Sequence, residues 1–126
     1  MRAGSKRESH RQLALHVENA MSKSYEPETH TRDEVNALAG PLVIEFGTDW
    51  CGYCRAAQPL IEEAFAGFAS IRHLKVEDGK GRALGRSFRV KLWPTLIFLR
   101  DGAEIARVVR PADVASIASA LAQVSS

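Results

Sequence analysis

The sequence predicts an α/β domain in which a central mixed sheet of four to five strands is flanked by helices on both faces. Three observations predict it. Strand-like and helix-like segments alternate along most of the chain, the signature of crossover connections and parallel pairing. The run Leu42-Val43-Ile44-Glu45-Phe46 is rich in β-formers and nearly all apolar, as a strand covered on both faces must be. Asp101-Gly102 lies between two further strand-like runs and is a strong hairpin signal, which adds an antiparallel edge.

Each element has a local reason. Tyr25-Glu26-Pro27-Glu28 reads as irregular chain or an edge strand, because Pro27 has no amide to give a ladder. Thr31-Arg32-Asp33-Glu34 is a capping box, so a short helix follows through Val35 and Leu38 until Gly40-Pro41 stops it. The apolar run from Leu42 comes next. Helical spacing returns from Cys51 to about Phe68, with Leu60, Ala64, Phe65 and Phe68 as the expected stripe. Pro59 interrupts that helix, removes one donor and predicts a kink. His73-Leu74-Lys75-Val76 reads as a strand and Gly81 to Phe88 as a short helix. Thr95 to Leu99 and Ile105 to Val109 are the hairpin strands. Ala112 to Val124 closes the chain as a helix with Val114, Ile117, Ala118, Leu121 and Ala122 inward.

The chain's 126 residues are one domain's worth. No apolar run approaches the ~18 residues of a membrane span. The net charge of +2 is unevenly placed. Residues 1–20 carry Arg2, Lys6, Arg7 and Arg11 against Glu8 and Glu18, so the whole excess lies there and the rest is balanced. A nucleic-acid-binding face is therefore not expected. The stretch Leu13-Ala14-Leu15-His16-Val17 is too short and too polar for a secretory signal. Residues 1–24 are expected to be a flexible N-terminal extension, residues 25–126 the folded domain, and the location cytoplasmic.

Two cysteines are too few for a disulfide-stapled scaffold or a four-cysteine zinc site. Their placement, in Trp50-Cys51-Gly52-Tyr53-Cys54 at a strand-to-helix junction, points to chemistry instead. Residues three apart on a helix are neighbours, with Cα atoms roughly 5–6 Å apart, inside disulfide range. Backbone donors at a helix start stabilise a thiolate, so the pKa of Cys51 is expected to fall. Cys54, one turn in, is the expected resolving thiol.

At these residues the sequence resembles the thioredoxin family. The resemblance covers about residues 25–126. It is strongest at Trp50 to Cys54, then at Trp93-Pro94-Thr95, which is similar to the family's cis-proline loop, 40 residues beyond Cys54. Pro59, Phe46 and Asp101-Gly102 also fit. The resemblance implies a thioredoxin-like fold and a monomeric thiol–disulfide oxidoreductase acting on protein disulfides, with a thioredoxin-reductase-like electron donor. No cofactor, nucleic acid or membrane is implied. Cys51 and Cys54 would be catalytic. Trp50, Gly52, Tyr53, Trp93, Pro94 and Thr95 would line the substrate site.

Glu45, six residues before Cys51, stands where the family usually has a buried aspartate that exchanges a proton with the resolving thiol. Flanking apolar residues support burial, which would raise its pKa toward neutrality. A glutamate turned to an edge is the competing reading. His73 stands near where the family often has a lysine that pairs with that acid, although an exposed strand histidine is the reading expected here. Tyr53 replaces the family's usual proline. Its Gly-Tyr dipeptide also resembles that of periplasmic disulfide isomerases, so a potential less reducing than typical thioredoxin is expected. Trp93 is bulky for its position, whether it narrows substrate choice or packs. Arg110 stands where a glycine usually borders the groove.

Residues 72–91 carry seven cations against Glu77 and Asp78, read as a solvated face or as a steering surface for acidic partners. Two other classes stay in view. One is metal binding through the cysteine pair, with His10 and His16 or as an iron–sulfur cluster shared by two chains. The other is a redox-inactive interaction module on the same fold.

Overall fold

A computed structural model describes residues 24–126. The expected N-terminal extension and its His10 and His16 lie almost wholly outside the described residues. The element order is α1 (Arg32–Asn36), β1 (Pro41–Gly47), α2 (Gly52–Ala66), β2 (Arg72–Glu77), α3 (Ala83–Ser87), β3 (Thr95–Arg100), β4 (Ala103–Val109) and α4 (Val114–Ser125). The boundaries agree with the sequence expectation to within a few residues, the ordinary scatter of helix and strand ends.

The sheet has four strands in the order β2-β1-β3-β4. β1 pairs parallel with β2 and antiparallel with β3, and β3 pairs antiparallel with β4. The parallel pair is joined by the α2 crossover. Tyr25-Glu26 adds only an isolated parallel bridge, Glu26 to Val76.

Alternation along β1 sorts the core into two layers. Leu42, Ile44 and Phe46 pack with Val35, Leu84, Phe88, Ile97 and Leu99 on one face. Val43 packs with Ile61, Phe65, Leu96, Phe98, Ile117 and Leu121, under α2 and α4, on the other. Period two places Glu45 on that second face, beneath α2. The parallel register sets Val43 beside His73 and Glu45 beside Lys75, so both β2 side chains share it.

The helix stripes are shifted from expectation. The buried residues of α2 are Cys54, Ala57, Ile61, Ala64 and Phe65, while Leu60 and Phe68 are only partly covered. In α4, Ala120 and Val124 are buried and Ala122 is exposed. The turn Asp101-Gly102 has both residues at positive φ, 50° and 82°, as a two-residue hairpin loop requires. A Cβ on Gly102 would lie 2.0 Å from the Asn36 carbonyl, so the hairpin tip sits tight against the end of α1. β3 is buried from Thr95 to Leu99. β4 is largely exposed and carries a bulge opposite Phe98/Leu99, which twists the free edge.

Candidate active site

Cys51 is the N-cap of α2, and its sulfur accepts from the Cys54 amide at 3.4 Å. Burial pushes its thiol up. Hydrogen bonds from Cys54 and the Tyr53 amide, with the nearby Arg110 charge, outweigh burial, and the thiol ends below its ordinary value. Cys54, one turn in, is fully buried. Burial pushes its thiol up to about 12, with Cys51 adding to the effect and the Thr48 backbone opposing it. Both thiols are free. The strand end behind them leaves no room: a Cβ on Gly47 would lie 2.6 Å from the Cys54 sulfur and 2.8 Å from the Tyr25 ring.

Glu45 is fully buried, as one of its two sequence readings expects, and lies under α2. Its environment reverses the expected pKa direction. Burial is the largest influence and raises it. The hydrogen bond and charge of His73, the charge of Lys75 and a hydrogen bond from Tyr25 prevail, and Glu45 lies below the ordinary carboxylate value. His73 Nε2 meets Glu45 Oε1 at 2.9 Å. The exposed histidine expected here is corrected: its side chain is 4% exposed and its ring stacks on Phe65 at 4.2 Å. The β2 polar face is turned toward α2 and not toward solvent.

Sequence reasoning did not single out Tyr25 and Gln58. The Tyr25 hydroxyl donates to Glu45 Oε2, and the residue packs against Cys51 and Cys54. Gln58 Nε2 lies 2.9 Å from Glu45 Oε2, 3.2 Å from the Tyr25 hydroxyl and 3.0 Å from the Cys54 carbonyl. Lys75 Nζ donates to Gln58 Oε1 at 2.9 Å and stands 4.7 Å from the Tyr25 ring centre. Gln58, four residues after Cys54 on α2, was findable from helical spacing alone. Tyr25 was not, because a single backbone bridge places its segment.

Around the thiols the predicted groove residues fall into three groups. Trp50 and Tyr53 are 70% and 60% exposed, and Gly52 is exposed beside them. Trp93 packs against the cysteine cluster, meets Trp50 edge-on at 5.6 Å and donates its indole N–H to Asp78 Oδ2 at 2.8 Å. Pro94 follows a cis peptide bond and is buried. Thr95 differs from expectation. It is 1% exposed, and its hydroxyl donates to the Leu92 carbonyl at 2.6 Å, so its side chain holds the loop and does not face the groove.

Arg110 shapes the far wall. Its guanidinium lies 3.7 Å from the Tyr53 ring centre, its Nε donates to the Trp93 carbonyl at 2.8 Å, and its amide donates to the Pro94 carbonyl at 2.9 Å. It adopts φ 48°, which a non-glycine residue takes only at a cost. Removing this cation is expected to raise the Cys51 pKa. For Arg110→Gln, iodoacetamide alkylation of Cys51 at neutral pH should slow about two- to five-fold, the scale of one partly solvated charge contact. An unchanged alkylation profile would show that Arg110 does not act on the thiolate.

A thiol capping a helix, a second thiol buried behind it and a carboxylate network beneath both define the class: a thiol–disulfide oxidoreductase site on a four-stranded mixed sheet. The chain belongs to the thioredoxin family, whose model, described as Thioredoxin, matches residues 23–123. Thioredoxin 2 from Pseudomonas aeruginosa PAO1, solved in its reduced form, is 56% identical with a TM-score of 0.75, over 82% of this chain and 96% of that one. A thioredoxin H-type from Oryza sativa subsp. indica is 34% identical over 64% of this chain and 71% of its own length. Thioredoxin H2-1 from Oryza sativa subsp. japonica is 34% identical over 54% of this chain, and the match spans only 49% of that protein.

Among the described residues no helix is long and apolar enough to cross a membrane, and no group of three His, Cys, Asp or Glu is placed to hold a metal ion.

Proposed function

We propose that this protein reduces or exchanges protein disulfides through the Cys51–Cys54 couple. The observation that carries the reading is the opposite treatment of two thiols one helical turn apart: Cys51 is lowered at the helix start and Cys54 is raised in the interior. The Cys51 thiolate attacks one substrate sulfur, forming a Cys51–substrate disulfide and expelling the other sulfur as a thiolate. That step removes the Cys51 charge that opposes ionisation of Cys54. Cys54 then gives up its proton and attacks Cys51. The second substrate sulfur leaves, and the two electrons of the dithiol have passed to the substrate. Glu45, reached through the Tyr25 hydroxyl, receives the proton. Trp50, Gly52, Tyr53, Trp93 and Pro94 would contact the substrate chain, with Thr95 holding the loop.

A thioredoxin-reductase-like donor would return the electrons, and the protein would act as a cytoplasmic monomer. The reading is tested by reduction of insulin with dithiothreitol as electron source. Rapid precipitation of the insulin B chain above the dithiothreitol background is expected. No acceleration would leave the interaction-module reading, for which Arg110 across the Trp93 carbonyl is the supporting contact.

A further inference from the structure

Beside the dithiol lies a depression of about 660 Å³ lined by the loop Asp78 to Arg82, by Arg86 of α3, and by Arg89 to Lys91 and Trp93. Its chemistry is one-sided. Lys80, Arg82, Arg86, Arg89 and Lys91 line it, and Asp78 is its single acid. Asp78 is 9% exposed and is held inward by the Trp93 indole. A Cβ on Gly85 would lie 2.0 Å from the Asp78 carboxylate, so α3 closes directly over that acid. Arg82 is paired with Glu77 at 2.6 Å. Among the described residues the other four cations form no ion pair with an acid. Arg89 holds φ 58°, a conformation uncommon for a side-chain-bearing residue, in the middle of this rim.

Trp93 links this depression to the chemistry. One side of the residue lines it, and the same residue packs against Tyr25, Cys51 and Cys54 and meets Trp50. A substrate segment leaving the cysteines across the indole therefore enters a basic basin. Four extended residues span up to about 14 Å, enough to cross one indole.

We propose that the basin selects disulfide substrates by acidic residues flanking the target cysteine, the carboxylates settling among Lys80, Arg86, Arg89 and Lys91. This rests on the oxidoreductase reading and adds a substrate class to it. Such complementarity acts mainly on encounter rate and choice of partner. It weakens as the screening length shrinks from about 10 Å at 0.1 M salt toward 3 Å at 1 M.

The test uses three peptides with the same internal disulfide, flanked on both sides by four Glu, four Gln or four Lys. The initial rate of reduction by the full chain is compared at low and high salt. At low salt the acidic peptide should be reduced about five-fold faster than the neutral one, and the basic peptide slower than either. High salt should bring all three within about two-fold. In R86Q/R89Q/K91Q the preference should vanish while the neutral peptide keeps its wild-type rate, which also reports an intact fold. Charge reversal outside the helix, K80E/K91E, should turn the preference toward the basic peptide. Equal rates for acidic and neutral peptides in the wild type, or a preference that survives the triple variant, would overturn the proposal while leaving the oxidoreductase reading intact. Failure to reduce any of the three would overturn that reading itself.

Discussion

Cys54→Ser is expected to convert the protein into a stable covalent adduct of its substrates, and Cys51→Ser to abolish turnover without forming adducts. The two variants differ because the two sulfurs occupy different electrostatic sites. Cys51 sits where backbone donors point outward from the start of α2, and its thiol is lowered. Serine there loses on the order of 10³ or more in rate, since a neutral hydroxyl is a far poorer nucleophile than a thiolate. Cys54 has no exposure, and its thiol is held near 12, so it does not compete for the substrate in the first step. Its removal leaves that step intact and blocks the second. Incubating each variant with oxidised insulin and resolving the products without reductant checks this. A single adduct band for Cys54→Ser, cleared by dithiothreitol and absent for Cys51→Ser, is the expected result. Equal adducts in both variants would mean that either sulfur attacks, and the assigned order would fall.

The pair itself was legible from sequence because its chemistry is local. Four consecutive residues at a strand-to-helix junction, Cys51 to Cys54, are enough to place one thiol at a cap and the other a turn inside. The β1 run and the Asp101-Gly102 turn were legible for the same reason: burial on both faces and a positive-φ pair are properties of a few adjacent residues. The phase of α2 was not. Ile61 replaces Leu60 in the buried row because the helix is anchored by Cys54 and Ala57 against the sheet, and the local apolar pattern fits either phase. His73 was misread because its alternation with Leu74 and Val76 marks two faces without saying which one α2 covers. Only the parallel register and the Phe65 ring decide that. The depressed Glu45 followed from the same gap: burial was legible, while the His73, Lys75 and Tyr25 contacts that outweigh it join three separate segments.

Those contacts make Tyr25→Phe the more informative test of the interior. Resolution requires Cys54, which has no exposure of its own, to lose a proton. The Tyr25 hydroxyl donates to Glu45 Oε2, and the same residue packs against Cys54, so it stands beside both ends of the transfer. It can take the Cys54 proton as it passes its own to the carboxylate, ending as a donor to the new thiolate. Phenylalanine keeps the ring that packs against the cysteines and removes only the hydroxyl. The mixed disulfide should then form at the wild-type rate and resolve on the order of 10²-fold more slowly, the usual worth of positioned proton transfer. Quenched-flow trapping should show it accumulating, and raising the pH should recover resolution as hydroxide replaces the relay. Glu45→Gln should give the same kinetic defect with a second signature in stability. A carboxyl lowered by folding contributes stability that is fully present above its ordinary pKa of about 4.3 and is lost as pH falls through the folded value. The wild type should therefore weaken below about pH 4.3 more steeply than Glu45→Gln. A Tyr25→Phe protein that resolves at the wild-type rate would remove the hydroxyl from the path. The carboxylate would then have to reach Cys54 by another route, and Glu45→Gln alone would carry the defect.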